Sequence, residues 1–118
     1  MVNLEMNLDQ IYFNYILDGK KIYEIRVYDK KRKEIKLLDI VLFKDRDSDR
    51  TFKAVITELS YFKDFETAII DSGLKKVLPN ARTIKEGVKL YESFPHLEGN
   101  FKKGAQKFGV LRIKFRLT

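Results

Sequence analysis

The stretch GVLRIKFRL (109–117) alternates without interruption: Leu111, Ile113, Phe115 and Leu117 fall on one side, Arg112, Lys114 and Arg116 on the other. A period of two is the signature of a strand with one buried face. A strand this late in the chain must return to pair with strands far upstream. The feature therefore predicts an α+β fold with a curved or closed sheet.

Several upstream segments supply the partners. IYEIRVY (22–28) reads as a strand with Tyr23, Ile25 and Val27 on one face and Glu24 and Arg26 on the other. DIVLF (39–43) is too apolar to be one-sided and predicts a strand inside the sheet. TFKAVITEL (51–59) follows the charged loop DRDSDR as a hairpin arm, with Phe52, Ala54, Ile56 and Glu58 on one side. Val2, Leu4 and Met6 alternate as a first strand.

Helical spacing links Leu8, Ile11, Tyr12, Tyr15 and Ile16, with Asn7 and Gln10 as a capping pair and Gly19 as the stop. Phe65, Ala68 and Ile69 predict a helix ending at Gly73, and Thr83 with Glu86 forms a capping box opening a helix that carries Val88 and Tyr91. Two helices are thus expected between the strand blocks, within a single domain over residues 1–118. No internal repeat or linker divides the chain.

Apolar residues make up 44% and charged residues 35% of the sequence, a globular composition. The absence of cysteine excludes disulfides, thiolate metal sites and cysteine nucleophiles, and fits an intracellular, cytoplasmic setting. No apolar run approaches the roughly 18 residues of a spanning helix, and MVNLEMNLDQ lacks the features of a secretion signal, so no membrane partner is expected. His96 is the sole histidine and is expected at the surface after Pro95. DRDSDR spaces its aspartates like a calcium loop, but Arg50 and Ile56 stand where glycine and glutamate are needed. Neither metal nor cofactor is expected. The net charge of +7 favours a polyanionic partner, nucleic acid first.

GKKIYEIR (19–26) carries the pattern G-x-K-x-x-E-x-R through Gly19, Lys21, Glu24 and Arg26. This resembles the signature of ASCH domains. IKLLDIVLF, YFKDFETAI, LPNARTIKEGVKLYESF and KFGVLRIKF are similar to further family segments, so the resemblance runs from Leu8 to Leu117. It implies a PUA-like fold, a small β-barrel or strongly curved mixed sheet with flanking helices, whose cleft is associated with RNA and modified nucleosides. Family members are described as RNA-binding modules, as a ribonuclease and as an amidohydrolase of N4-acetylcytidine. Leu38 stands where the family usually has glycine before Asp39, which predicts a turn of different backbone conformation. Glu24 stands where the amidohydrolase branch has threonine, while its lysine is retained as Lys21.

Lys21 and Arg26 are suited to phosphate or carbonyl oxygens and Glu24 to the exocyclic amine of a base. The alternative is a cross-strand ion pair on an exposed face, worth little. The resemblance favours a ligand site of Gly19, Lys21, Glu24 and Arg26. Tyr28 and Tyr61, near loop ends, are candidate stacking platforms. Arg112, Lys114 and Arg116 stand about 6 to 7 Å apart, close to the phosphate repeat of a single strand, and are candidate nucleic-acid contacts. Lys30 to Lys33 form either a contact loop or a solvated hairpin tip.

The expected function is binding of RNA or a modified nucleoside. One alternative is a hydrolase acting on an acylated nucleoside or RNA, with Lys21 as base or electrostatic stabiliser and Glu24 as acid or base. Another is a protein-interaction domain using the basic surface on an acidic partner. No feature of the sequence fixes an oligomeric state.

Overall fold

In a computed structural model, which describes residues 1–118, the alternating C-terminal stretch forms β7 (Val110–Leu117). It pairs antiparallel with β4 (Thr51–Phe62) on one side and with β2 (Tyr23–Val27) on the other. β3 (Ile40–Asp45) pairs antiparallel with β4, and β1 (Leu4–Leu8) lies parallel to β3. The result is a five-stranded mixed sheet in the order β1-β3-β4-β7-β2, curled into a half-barrel. Of the two forms expected from the resemblance, this is the strongly curved sheet. β1 and β2 are its two edges, and α1 (Gln10–Leu17) connects them.

Two cores lie on opposite faces of this sheet. One gathers Phe13 and Ile16 of α1 with Phe43, Ile56 and Ile113. The other packs Ile25 and Val27 against a helical layer of α2 (Phe65–Ser72), α3 (Leu74–Val77), α4 (Ile84–Glu92) and α5 (Phe101–Phe108). A small hairpin, β5 (Pro95–His96) and β6 (Gly99–Asn100), precedes α5. Each large apolar side chain fully buried in these cores contributes roughly 1.5–3 kcal/mol. The second core thus holds the Ile25 and Val27 face of β2, and Glu24 and Arg26 lie on the other face of that strand.

Locally encoded helix ends form as expected. Thr83 accepts from the Glu86 N–H, and α2 stops at Gly73. Other expectations need correction. The first helix is capped at Asp9, in extended backbone and with no side-chain cap, because Asn7 lies within β1 and the Gln10 side chain donates to Asp45. A bulge between Ile56 and Glu58 shifts the register of β4, so Glu58 leaves the apolar face and pairs with Lys114 at 3.2 Å. His96 is not a free surface residue: its Nε2 stands 2.9 Å from Asp29.

The helical layer also holds more than the two expected helices. α5 carries Phe101, Gly104, Ala105 and Phe108 at helical spacing, with Asn100 capping the Lys103 N–H at 2.9 Å. Gly104 sits where a Cβ would meet the Val27 methyls at 3.1 Å. That close helix–strand approach requires glycine in mid-helix, despite its cost of about 1 kcal/mol against alanine.

The turn before β3 is a further correction. Leu38 has a φ of 70°, the left-handed conformation that glycine adopts freely, and the residue is 74% exposed. Its N–H donates to the Ile56 carbonyl at 2.9 Å, which ties the turn to β4. A leucine there carries about 1–2 kcal/mol of steric cost with little burial to offset it. Leu38→Gly should raise folding stability by about 0.5–1 kcal/mol in urea denaturation, once the greater unfolded-state freedom of glycine is subtracted. A stability unchanged or lowered would show that Leu38 is not strained.

Candidate functional site

The site forms where the half-barrel fails to close. After α1 the chain reverses at Gly19, whose φ is 75°, and the amides of Lys20 and Lys21 both donate to the Tyr15 carbonyl. Gly19 is exposed with open space around its Cα and lies outside the walls of the two spaces described below. The reversal drops the Lys21 side chain inward, where 2% of the residue is accessible. Its ammonium donates to the Val77 carbonyl at 2.7 Å, at the C-terminus of α3, and to the Tyr91 hydroxyl at 3.3 Å. It also stands 3.3 Å from Glu24 Oε1.

Glu24 is 5% exposed and sits at the centre of this network. Oε1 accepts from the Ile25 N–H at 2.9 Å and from the Tyr91 hydroxyl at 3.0 Å, as well as facing Lys21. Oε2 accepts from Arg26 Nε at 3.2 Å and Nη2 at 3.0 Å. Burial alone would raise this carboxyl, but Lys21 and Arg26, helped by the Ile25 N–H and Tyr91, hold it at about 2. Burial lowers Lys21 from its ordinary value, with Glu24 opposing the shift. Burial and the adjacent carboxylate push the Tyr91 hydroxyl well above its usual range. The network therefore holds a carboxylate and a protonated phenol.

With these donors in place, Glu24 has no lone pair directed to a ligand. Its effect is to orient Arg26. One edge of that guanidinium is held by Glu24, while Nη2 also reaches the Asn7 carbonyl on β1 at 3.1 Å, bridging the two sheet edges. Nη1 has no protein partner, which leaves a fixed pair of donors at the seam.

Arg26 lies between two connected spaces. The inner one, about 120 Å³, is lined by Asn7, Tyr12, Glu24, Tyr91, Phe94 and Phe101 as well as Arg26. Its aromatic wall is continuous: Tyr91 meets Phe94 edge-on with ring centres 5.7 Å apart, and Phe94 meets Phe101 the same way at 5.6 Å. The outer space is a groove of about 930 Å³ lined by Lys30, Lys31 and Arg32 opposite Pro95, His96 and Leu97. Arg26, Pro95 and Phe101 line both.

The structure brings Glu24, Arg26 and the Lys30, Lys31 and Arg32 part of the basic run to one cleft, with Lys21 beneath it. It does not assemble the other proposed contacts there. Arg112 is 8% exposed, bonded to Asp71 at 2.6 Å and Ser72 at 2.9 Å, and packed over the rings of Tyr23 and Phe62. Lys114 pairs with Glu58, which leaves Arg116 alone exposed and unpaired, so the expected basic stripe is not a free surface. Tyr28 and Tyr61 pack edge to face at 4.8 Å, with Lys33 5.4 Å over Tyr28, outside the walls of the cleft.

Sequence reasoning missed the bridging role of Tyr91 and the aromatic wall beside it. The signal available was the buried side of α4: a tyrosine there requires a hydrogen-bond partner for its hydroxyl. No group of three or more His, Cys, Asp or Glu residues could hold a metal ion, and no helix is long and apolar enough to cross a membrane.

The family model described as the ASCH domain matches residues 6–117. The crystal structure of the hypothetical protein PH0355 is similar at a TM-score of 0.84 and 31% identity, covering 98% of each chain. The solution NMR structure of protein PF0455 from Pyrococcus furiosus is similar at a TM-score of 0.74 and 29% identity, covering 97% of this chain and 96% of that one. No curated protein matches the chain.

The charge network makes a pH prediction. Glu24 falls from an ordinary 4.5 to about 2 on folding, so its contribution is fully present above about pH 5 and is lost as pH falls through 4.5 toward 2. That contribution is about 3 kcal/mol. Carboxyl-carbon NMR should find Glu24 titrating near 2, and Lys21→Met should raise that value while lowering stability by about 3–5 kcal/mol. A Glu24 midpoint near 4.5 in the folded protein would remove the network from the stability balance.

Proposed function

The chain belongs to the ASCH domain family, and from that premise we propose that its seam cleft binds RNA or a modified nucleoside. The observation that carries this reading is a fixed Arg26 edge beside an aromatic-walled chamber that opens into a basic groove. The chamber is smaller than the roughly 300–1,000 Å³ typical of pockets for drug-sized ligands. It suits one flat ring, with the remainder of the ligand in the outer groove. Tyr12, Tyr91, Phe94 and Phe101 offer ring faces and edges to a base, and Arg26 Nη1 offers two donors to a carbonyl oxygen or ring nitrogen.

Lys21 acts here as a positioning residue. It is buried beneath Glu24 and holds the carboxylate that aligns Arg26, so its loss would disturb binding by disordering the site. Arg26→Gln is the cleaner test, because it removes the guanidinium at the seam.

A second reading, hydrolysis of an acylated nucleoside, is favoured by one observation: burial lowers the pKa of Lys21. Deprotonation would free a nucleophilic or basic nitrogen beside Tyr91. Opposing this, the ammonium donates to Val77 and Tyr91 and pairs with Glu24, and Lys21 does not line the chamber. Binding is therefore the stronger reading.

Titration of short single-stranded RNA, free nucleosides and single-stranded DNA at several salt concentrations should show saturable binding to RNA or a nucleoside. Arg26→Gln should weaken it about tenfold while circular dichroism reports an intact fold. Equal affinity in wild type and variant would remove the cleft as the binding site. Release of acetate from N4-acetylcytidine by wild type but not by folded Lys21→Met would replace the binding reading with the hydrolytic one.

A further inference from the structure

Arg32 lies in a short 3-10 turn (Arg32–Glu34) on the wall of the outer groove and is half-buried, yet its guanidinium makes no hydrogen bond or ion pair with the protein. The nearest acid is already engaged. Asp29 uses Oδ1 to accept the Arg32 backbone N–H at 3.1 Å and Oδ2 to bind His96 Nε2 at 2.9 Å. His96 Nδ1 accepts from the Glu98 N–H at 3.0 Å, so the ring's proton is on Nε2 and points to Asp29. Asp29 thus pins the turn and the β5–β6 hairpin together, and leaves the Arg32 side chain free.

The second guanidinium in the groove is that of Arg26, whose Nη1 is also free. Two like charges therefore share one wall-lined space with Lys30 and Lys31. Three acids face the same space: Glu98 pairs with Lys107 at 3.1 Å, while Asp29, hydrogen-bonded to a neutral His96, and Glu34 keep their charge and offset part of the excess. Burial, together with Arg26 beside it, lowers the Arg32 pKa. Arg26 is paired with Glu24 along one edge only and Arg32 has no side-chain partner, so each guanidinium keeps free donors for an anion.

We propose that Arg26 and Arg32 form an anion subsite for the phosphate of a nucleotide. The ligand is then a phosphorylated nucleotide or a nucleotide within an RNA strand, in preference to a free nucleoside. This rests on the RNA or nucleoside reading above and narrows it. A phosphomonoester presents three non-bridging oxygens and a phosphodiester two, each able to accept more than one hydrogen bond, so either can take donors from two guanidinium groups at once. Arg26 joins the two spaces, and a phosphate held there lies beside the chamber that suits the base.

The test compares the four ribonucleosides with their 5′- and 3′-monophosphates and a short RNA, by calorimetry on wild type and Arg32→Gln. In parallel, inorganic phosphate alone is titrated at constant ionic strength while NMR follows the Nε–H signals of Arg26 and Arg32 in the wild type. At least one monophosphate, or the RNA, should bind wild type about tenfold more tightly than its nucleoside, and Arg32→Gln should erase that gain and keep nucleoside binding. Inorganic phosphate should shift both arginine signals.

Equal affinity for nucleosides, monophosphates and RNA, or a phosphate gain that survives Arg32→Gln, would overturn the subsite while leaving the nucleoside reading in place. Inorganic phosphate shifting both arginines with no nucleoside or RNA bound would keep the subsite and remove the base chamber. Unshifted arginine signals would also overturn the subsite, whether or not Arg32→Gln folds.

Discussion

A carboxylate buried at the start of β2 is the constraint on which the neighbouring structure depends. Taking an ionised Glu24 out of water is costly, and the cost is offset only while every partner stays in place. Those partners come from separate parts of the chain: Lys21 from the turn after α1, Arg26 from the same strand, Tyr91 from α4. Lys21 in turn holds the end of α3 through Val77. One buried charge therefore fastens two helices to an edge strand, and moving either helix would leave that charge without compensation. The same requirement fixes the rotamer of Arg26, so the groups offered to a ligand are ordered before it arrives.

The cleft exists because the sheet stays open. In a closed barrel, β1 and β2 would pair, and the Asn7 carbonyl would accept a backbone N–H. Here it accepts from Arg26 instead, at 3.1 Å, and a side chain spans the gap that a backbone ladder would otherwise fill. α1 covers one face of the half-barrel while the aromatic residues of α4, α5 and the segment between them border the seam. The proposed binding cleft and the incomplete closure are thus one feature, and a sequence change that zipped the two edges together would remove the cleft.

How much of this could be read from the sequence follows the range of the interactions involved. The Thr83 cap, the Gly73 stop and the shared face of Glu24 and Arg26 depend on neighbours a few residues away, and all were legible. The fate of Arg112 was not, because its partner Asp71 and its packing against Phe62 depend on how α2 lies over β7. Alternation predicts that Arg112 points away from Leu111; it does not say whether that second face meets water. The bulge at Ile56–Glu58 inverted the reading of one residue for a similar reason, since a strand's phase is local until its partner resets it. α5 went unread, and the close approach to Val27 that requires glycine at position 104 depends on how that helix packs on β2.

The net charge of +7 acquires meaning only when it is located. Lys44, Arg46, Arg50, Lys107, Arg112 and Lys114 each stand against a carboxylate, so they add little field of their own at a distance. Lys30, Lys31 and Arg32 have no such partner and border the groove. Inward from them the walls turn aromatic, and behind Arg26 stands the charge of Glu24. The inner chamber sets its aromatic wall against Asn7, Asp9, Glu24, Arg26 and Arg46, whereas the unpaired cations Lys30, Lys31 and Arg32 stand at the groove. For the proposed nucleotide ligand this arrangement favours the base inward and the phosphate toward Arg26 and Arg32, among residues that are held in place for reasons of folding.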